Sequence, residues 1–118
     1  MNFSTDEIVT ITAIGIVELT EKIDLDKLAK KFVNSVFDPT KLPALQIKLE
    51  TPKASILLFS TGKMVLTGLK KENDAQIVFD IILDSLNSIG VKYMSSEVKI
   101  KKIITRNKEG RITITNIN

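Results

Sequence analysis

Along most of this chain apolar residues recur at every second position, and in two stretches they recur at helical spacing instead. Ile8 to Leu19, IVTITAIGIVEL, is dense in β-branched residues and predicts a strand. Thr10, Thr12, Ile14 and Ile16 share one face, and Ile11, Ala13, Gly15 and Val17 the other. ALQIKLE, Ala44 to Glu50, alternates strictly, with Leu45, Ile47 and Leu49 inward and Gln46, Lys48 and Glu50 outward. SILLFSTGKMVLTGLK, Ser55 to Lys70, predicts a hairpin, because two apolar runs flank the short polar turn Ser60-Thr61-Gly62. Both faces of that hairpin are largely apolar, Leu57, Phe59 and Val65 on one and Ile56, Leu58, Met64 and Leu66 on the other. Helices can cover one face, and something else must cover the second.

The first helical stretch follows Asp24, a good N-cap, and runs through LDKLAKKFVNSVF, where Leu25, Leu28, Ala29, Phe32, Val33 and Val36 predict one apolar face. Asp38-Pro39 ends it, and Pro43 keeps Leu42 on a loop. The second is AQIVFDIILDSLNSIG, where Ile77, Val78, Ile81, Ile82, Leu86 and Ile89 form a stripe widened by Phe79 and Leu83. Gly90 suits the position just past its end. The remainder, EVKIKKIITRNKEGRITITNIN, predicts a terminal hairpin about Asn107 to Gly110, whose Lys99, Lys101, Lys102, Lys108 and Arg111 read as charges guarding an edge. The expected fold is α+β, one domain over residues 1–118, with an antiparallel sheet and both helices on one face. Its core covers about residues 8–91, and the C-terminal hairpin about residues 97–118.

Composition removes most chemistry. The chain has no Cys and no His, so disulfides, thiolates and the commonest general base are excluded. No phosphate loop, dinucleotide fingerprint or metal-ligand spacing occurs, so no catalytic residue, metal or cofactor is expected. Asp80 and Asp84 lie four apart on the second helix, where they read as a solvated edge. A net charge of +3 and a pI near 9.2 lean toward an anionic partner, and only two of the seventeen basic residues are Arg. No apolar run approaches the about 18 residues that span a bilayer, and MNFSTDE lacks the positive start of a signal peptide. The expectation is a cytoplasmic protein without a membrane partner, nucleoid-associated in a prokaryote.

From Val9 to Gly90 the sequence resembles one repeat of the TATA-box-binding protein family, whose members carry two such repeats forming a saddle over bent DNA. LLFSTGKMVLTGLK resembles the family's hairpin motif, and DPTKLPALQIKLETPKAS matches the preceding segment in length, Pro positions and basic residues. By that resemblance Phe59 falls on a wedge that enters between base pairs, and Leu42 on its partner wedge, where Phe is usual. Ile14, Val65 and Thr67 fall on residues lining the minor-groove floor, and Thr12 on a base-contacting Asn. Lys41, Lys48, Lys53, Lys63 and Lys70 fall on basic positions near the phosphates, with Leu57 and Thr61 in the same DNA-facing set. Wedging apolar side chains into the minor groove is the TATA-box-binding protein's own mechanism, inherited here with the resemblance. The loop DPTKLPAL lacks the acidic residues with which the family's second repeat meets transcription factor B, so recruitment of that factor is not implied by the resemblance.

Two readings follow. One is a non-enzymatic protein, acting in transcription or DNA architecture, that grips AT-rich duplex and pairs with itself to complete the saddle. Its seam would be the long, scarcely charged first strand, Ile8 to Val17, as an open edge, unless the terminal hairpin folds back and caps that edge. The alternative is a protein-interaction or accessory module that uses the same apolar face; isolated copies of the family's fold also occur as accessory domains of some ribonucleases and DNA glycosylases.

Overall fold

The computed structural model describes residues Asp6–Ile117. Its strands are β1 (Glu7–Leu19), β2 (Ser35–Val36), β3 (Ala44–Glu50), β4 (Lys53–Phe59), β5 (Lys63–Leu69), β6 (Tyr93–Arg106) and β7 (Ile112–Asn116). Two helices, α1 (Leu25–Ala29) and α2 (Glu72–Ser88), follow β1 and β5. All strands join one antiparallel sheet in the order β2-β3-β4-β5-β1-β6-β7. The fold is α+β, as its pattern predicts.

One face of the sheet is packed. Val78, Phe79, Ile82 and Leu86 of α2 and Leu25 and Leu28 of α1 join Ile11, Ala13, Val17, Ile56, Leu58, Met64 and Leu66 in one buried cluster. At α1 five residues are far too few for a helix to persist alone. Its buried leucines, each contributing about 1.5–3 kcal/mol, hold it to the sheet, and the Lys27 N–H donates to Asp24 Oδ1 at 3.1 Å as expected. Helix α2 ends as predicted, with Gly90 at φ +83° and the Val91 N–H returning to the Leu86 carbonyl at 3.0 Å.

Three expectations are corrected. The first helix stops at Ala29 and does not reach Val36. The Ser35 hydroxyl donates toward the Ala29 and Phe32 carbonyls (3.1 and 3.0 Å), and Ser35 and Val36 pair with Ile47 and Gln46 as β2. Sheet pairing and a local side-chain bond together outweigh a weak helical pattern, and Val33, counted in the apolar face, is fully exposed. In α2 the stripe is rotated: Ala75, Val78, Phe79, Ile82 and Leu86 are buried, whereas Ile77 is 47% exposed. Finally, β1 is not an edge. β6 begins at Tyr93, four residues before the expected strand, and at 14 residues it matches the 13 of β1 along nearly its whole length.

Candidate nucleic-acid interface

The face away from the helices is built by register. In antiparallel pairs, directly opposed residues point the same way, so cross-strand partners form rows perpendicular to the strands. One row reads Gln46, Leu57, Val65, Ile14 and Lys99 from β3 to β6. A second carries Lys48, Ser55 and Thr67 on β3 to β5, then Thr12, Lys102 and Asn116 on β1, β6 and β7. Toward the β4–β5 turn, Phe59 lies beside Ala44, while Lys63, Ile16 and Glu97 form a third row. The open face is therefore striped: an apolar row beside a row of hydroxyls, an amide and ammonium groups.

Bulges keep these rows aligned. Between β1 and β5, Ile11 pairs with Leu69 and Ala13 with Leu66, which leaves one extra residue on β5, and Gly68 takes it up at φ +75°. On β1, Val9 is extra opposite β6, and Lys70 Nζ donates to its carbonyl at 2.6 Å. On β6, Lys101 is extra: Thr12 pairs with Lys102 and Ala13 with Ile100. The β4–β5 turn is locked too. Gly62 sits at φ +98°, and a Cβ there would lie 2.2 Å from the Val17 carbonyl.

Of the residues the resemblance implies, Thr12, Ile14, Leu57, Phe59, Val65 and Thr67 come together on this face. Leu42 is half-buried in the loop before Ala44, at the end of the sheet where Phe59 emerges, and the Leu42 N–H donates to the Asp38 carbonyl at 3.0 Å. Thr61 is exposed in the turn. Lys48 lies within the second row. Lys41 and Lys63 are exposed at one end of the strands, and Lys53 and Lys70 are exposed at the other. Cations thus bracket the apolar face at both strand ends. Lys70 differs from the rest, because its ammonium already serves the Val9 bulge.

Lys99 and Lys102, read from the sequence as edge guards, lie on the open face beside Ile14 and Thr12. The signal that would have revealed them is the long match between β1 and β6, which no local pattern carries. Glu97 accompanies them, 2.9 Å from Lys99, and this neighbour raises the Lys99 pKa above the usual 10.5 of lysine through its hydrogen bond and its charge. No group of three or more residues that could hold a metal ion occurs among the described residues. No helix is long and apolar enough to cross a membrane among them.

Comparison with known proteins agrees with this geometry. The family model described as "Transcription factor TFIID (or TATA-binding protein, TBP)" matches residues 7–89. The chain is similar to the TATA-box-binding protein of Archaeoglobus fulgidus, 34% identical over 100 residues that cover 84% of this chain and 52% of that one. It is also similar to TATA-box-binding protein 2 of Methanosarcina acetivorans, 36% identical over 101 residues covering 80% and 55% of the two chains. Among solved structures, Methanococcus jannaschii TBP matches with a TM-score of 0.73 and 28% identity over 85% of this chain and 57% of that chain. The chain spans about half the length of the curated relatives it matches. With a seven-stranded curved sheet, two helices on its packed face and a family match over most of its length, the chain belongs to the TATA-binding protein family, of which it covers about one repeat.

Proposed function

We propose that this chain is a non-enzymatic, transcription-related DNA-binding protein that holds AT-rich duplex through the minor groove with the open face of its sheet. The observation that carries the reading is the pairing of an apolar, hydroxyl-bearing floor with lysines at both ends of its strands. A duplex groove has the matching anatomy, a floor of base edges between two phosphate backbones. Phe59 and Leu42 stand at one end of that floor, where apolar side chains can enter a base step. A second copy of the chain supplies the grip on the far side of the kink. Since β1 is paired on both sides, the seam in this reading is β7, an outer strand without charge from Ile112 to Asn116 and with Ile112 and Ile114 exposed.

Gel-shift titrations on AT-rich and GC-rich duplexes at several salt concentrations test the reading. Tighter binding to AT-rich duplex with a steep loss in salt is expected. Salt-independent binding, or none, would turn the face into a protein-interaction surface instead.

A further inference from the structure

The helical cover stops before the sheet does. On the helix side β3, β4, β5 and β1 each bury several residues, whereas β6 buries only Thr105 and β7 buries none. Val98, Ile100 and Ile103 of β6 reach the core only in part. Ile103 opposes Thr115 and Thr105 opposes Thr113, so β7 carries this same face outward. Two hollows in the bare strip meet at Glu72, one over Ile103 and Thr115, the other over Val98, Ile100 and Ile117. Together they form a trough, with α2 as its wall and the β6–β7 ribbon as its floor.

The trough is one helix wide. Helix α2 packs on β5, β1 and β6, and helices lying side by side sit about 8–10 Å apart, close to two strand spacings of about 4.8 Å. A neighbour of α2 would therefore lie over β6 and β7. The wall it meets is acidic: α2 carries Glu72, Asp74, Asp80 and Asp84 with no lysine or arginine, in a chain whose net charge is +3. Glu72 borders both hollows, and Gln76 beside it holds Asp80 at 2.9 Å. Lys99 borders the trough too, but Glu97 meets its charge at 2.9 Å.

We propose that this trough docks an amphipathic helix of a second protein, with aliphatic residues on its inner face and lysines or arginines along the border that meets α2. Burial of the apolar floor supplies affinity, and the acidic wall selects the partner. A second copy of this chain does not fit, because its α2 would bring like charges and its α1 already buries Leu25 and Leu28. The floor strands lie beyond residues 7–89, the part the family model matches. The site also lies on the sheet face opposite the one assigned to DNA, and it does not rest on that assignment.

The probe is a labelled leucine–lysine peptide of about 18 residues, long enough to be helical, with its leucines at helical spacing. Fluorescence anisotropy should show it binding at least about fivefold more tightly than the same composition with the leucine order scrambled, or than a leucine–glutamate counterpart. Glu72→Lys and Thr115→Arg should each weaken it at least about fivefold, the effect of a contact that matters at an interface. Asp84→Lys changes the charge equally, but Asp84 is exposed and borders neither hollow, so binding should not change. Circular dichroism confirms that each variant is folded. Equal losses in Glu72→Lys and Asp84→Lys, or equal binding of the scrambled peptide, would reduce the effect to the protein's general field and overturn the trough. A dimer that Glu72→Lys converts to monomer would give the face to a second copy instead. No binding of the leucine–lysine peptide overturns the proposal, whatever the outcome with DNA.

Discussion

Phe79 of α2 lies so close over Gly15 of β1 that a Cβ on Gly15 would stand 2.7 Å from Phe79 Cε1 and 2.8 Å from Met64 Cγ. The ring and the thioether fill the space a side chain would take, and both are fully buried. Gly15→Ala should therefore destabilise the fold through overpacking, by about 1–3 kcal/mol. Thermal unfolding of the two proteins would show it, and an unchanged midpoint would mean that α2 slides away at little cost.

The salt dependence of binding counts phosphate contacts. If Lys41, Lys48, Lys53 and Lys63 each neutralise one phosphate, log K should fall against log salt with a slope of about −0.9 per contact. Lys63→Ala should make that slope shallower by about one contact. Lys70→Ala should alter it less, because the Lys70 ammonium is engaged with the Val9 carbonyl. Equal slope changes for the two variants would show that this bond opens when DNA arrives.

At the β4 end of the floor, Phe59 has the bulk to wedge neighbouring base pairs apart, and unstacking a step costs a few kcal/mol that the bent complex must recover. Phe59→Ala should reduce bending more than it slows encounter. Energy transfer between labels at the ends of a short duplex measures the bend. Straight DNA with the unaltered protein would return Phe59 to a packing role over Ala44, its cross-strand partner.

Assembly through β7 can be tested without truncating the chain. In a symmetric antiparallel pairing centred on Ile114, Ile114→Lys would place two ammonium groups opposite each other at the seam. Light scattering at micromolar protein should give a dimer that this substitution converts to monomer. A monomeric parent protein would remove the second copy from the proposed grip.

How far the sequence speaks depends on the range over which a signal acts. The Ser55–Lys70 hairpin, the Asp24 cap, the Gly90 stop and the Asn107–Gly110 turn are set by neighbours in the chain, and each stands where the pattern places it. The open-face residues Thr12, Ile14, Leu57 and Val65 follow from alternation alone. The short α1 does not, because Ser35 and Val36 respond to β3, a partner reached only in the folded state. Lys102 is harder still. One bulge inverts the parity of every later residue in a strand, and nothing in KIKKII marks which lysine is the extra one.

The place of β1 in the sheet has a kinetic consequence. Sheet pairing inside β2–β5 and inside β6–β7 joins neighbouring stretches of sequence, but the two pieces touch as a sheet only through β1. Closing the ring of contacts from Ile14 to both Val65 and Lys99 costs chain entropy before it returns any contact. The strand that comes first in the sequence is thus expected to be the last one seated. Truncating Ile11, buried in the middle of it, should then speed unfolding far more than it slows refolding, a contrast that stopped-flow chevrons resolve.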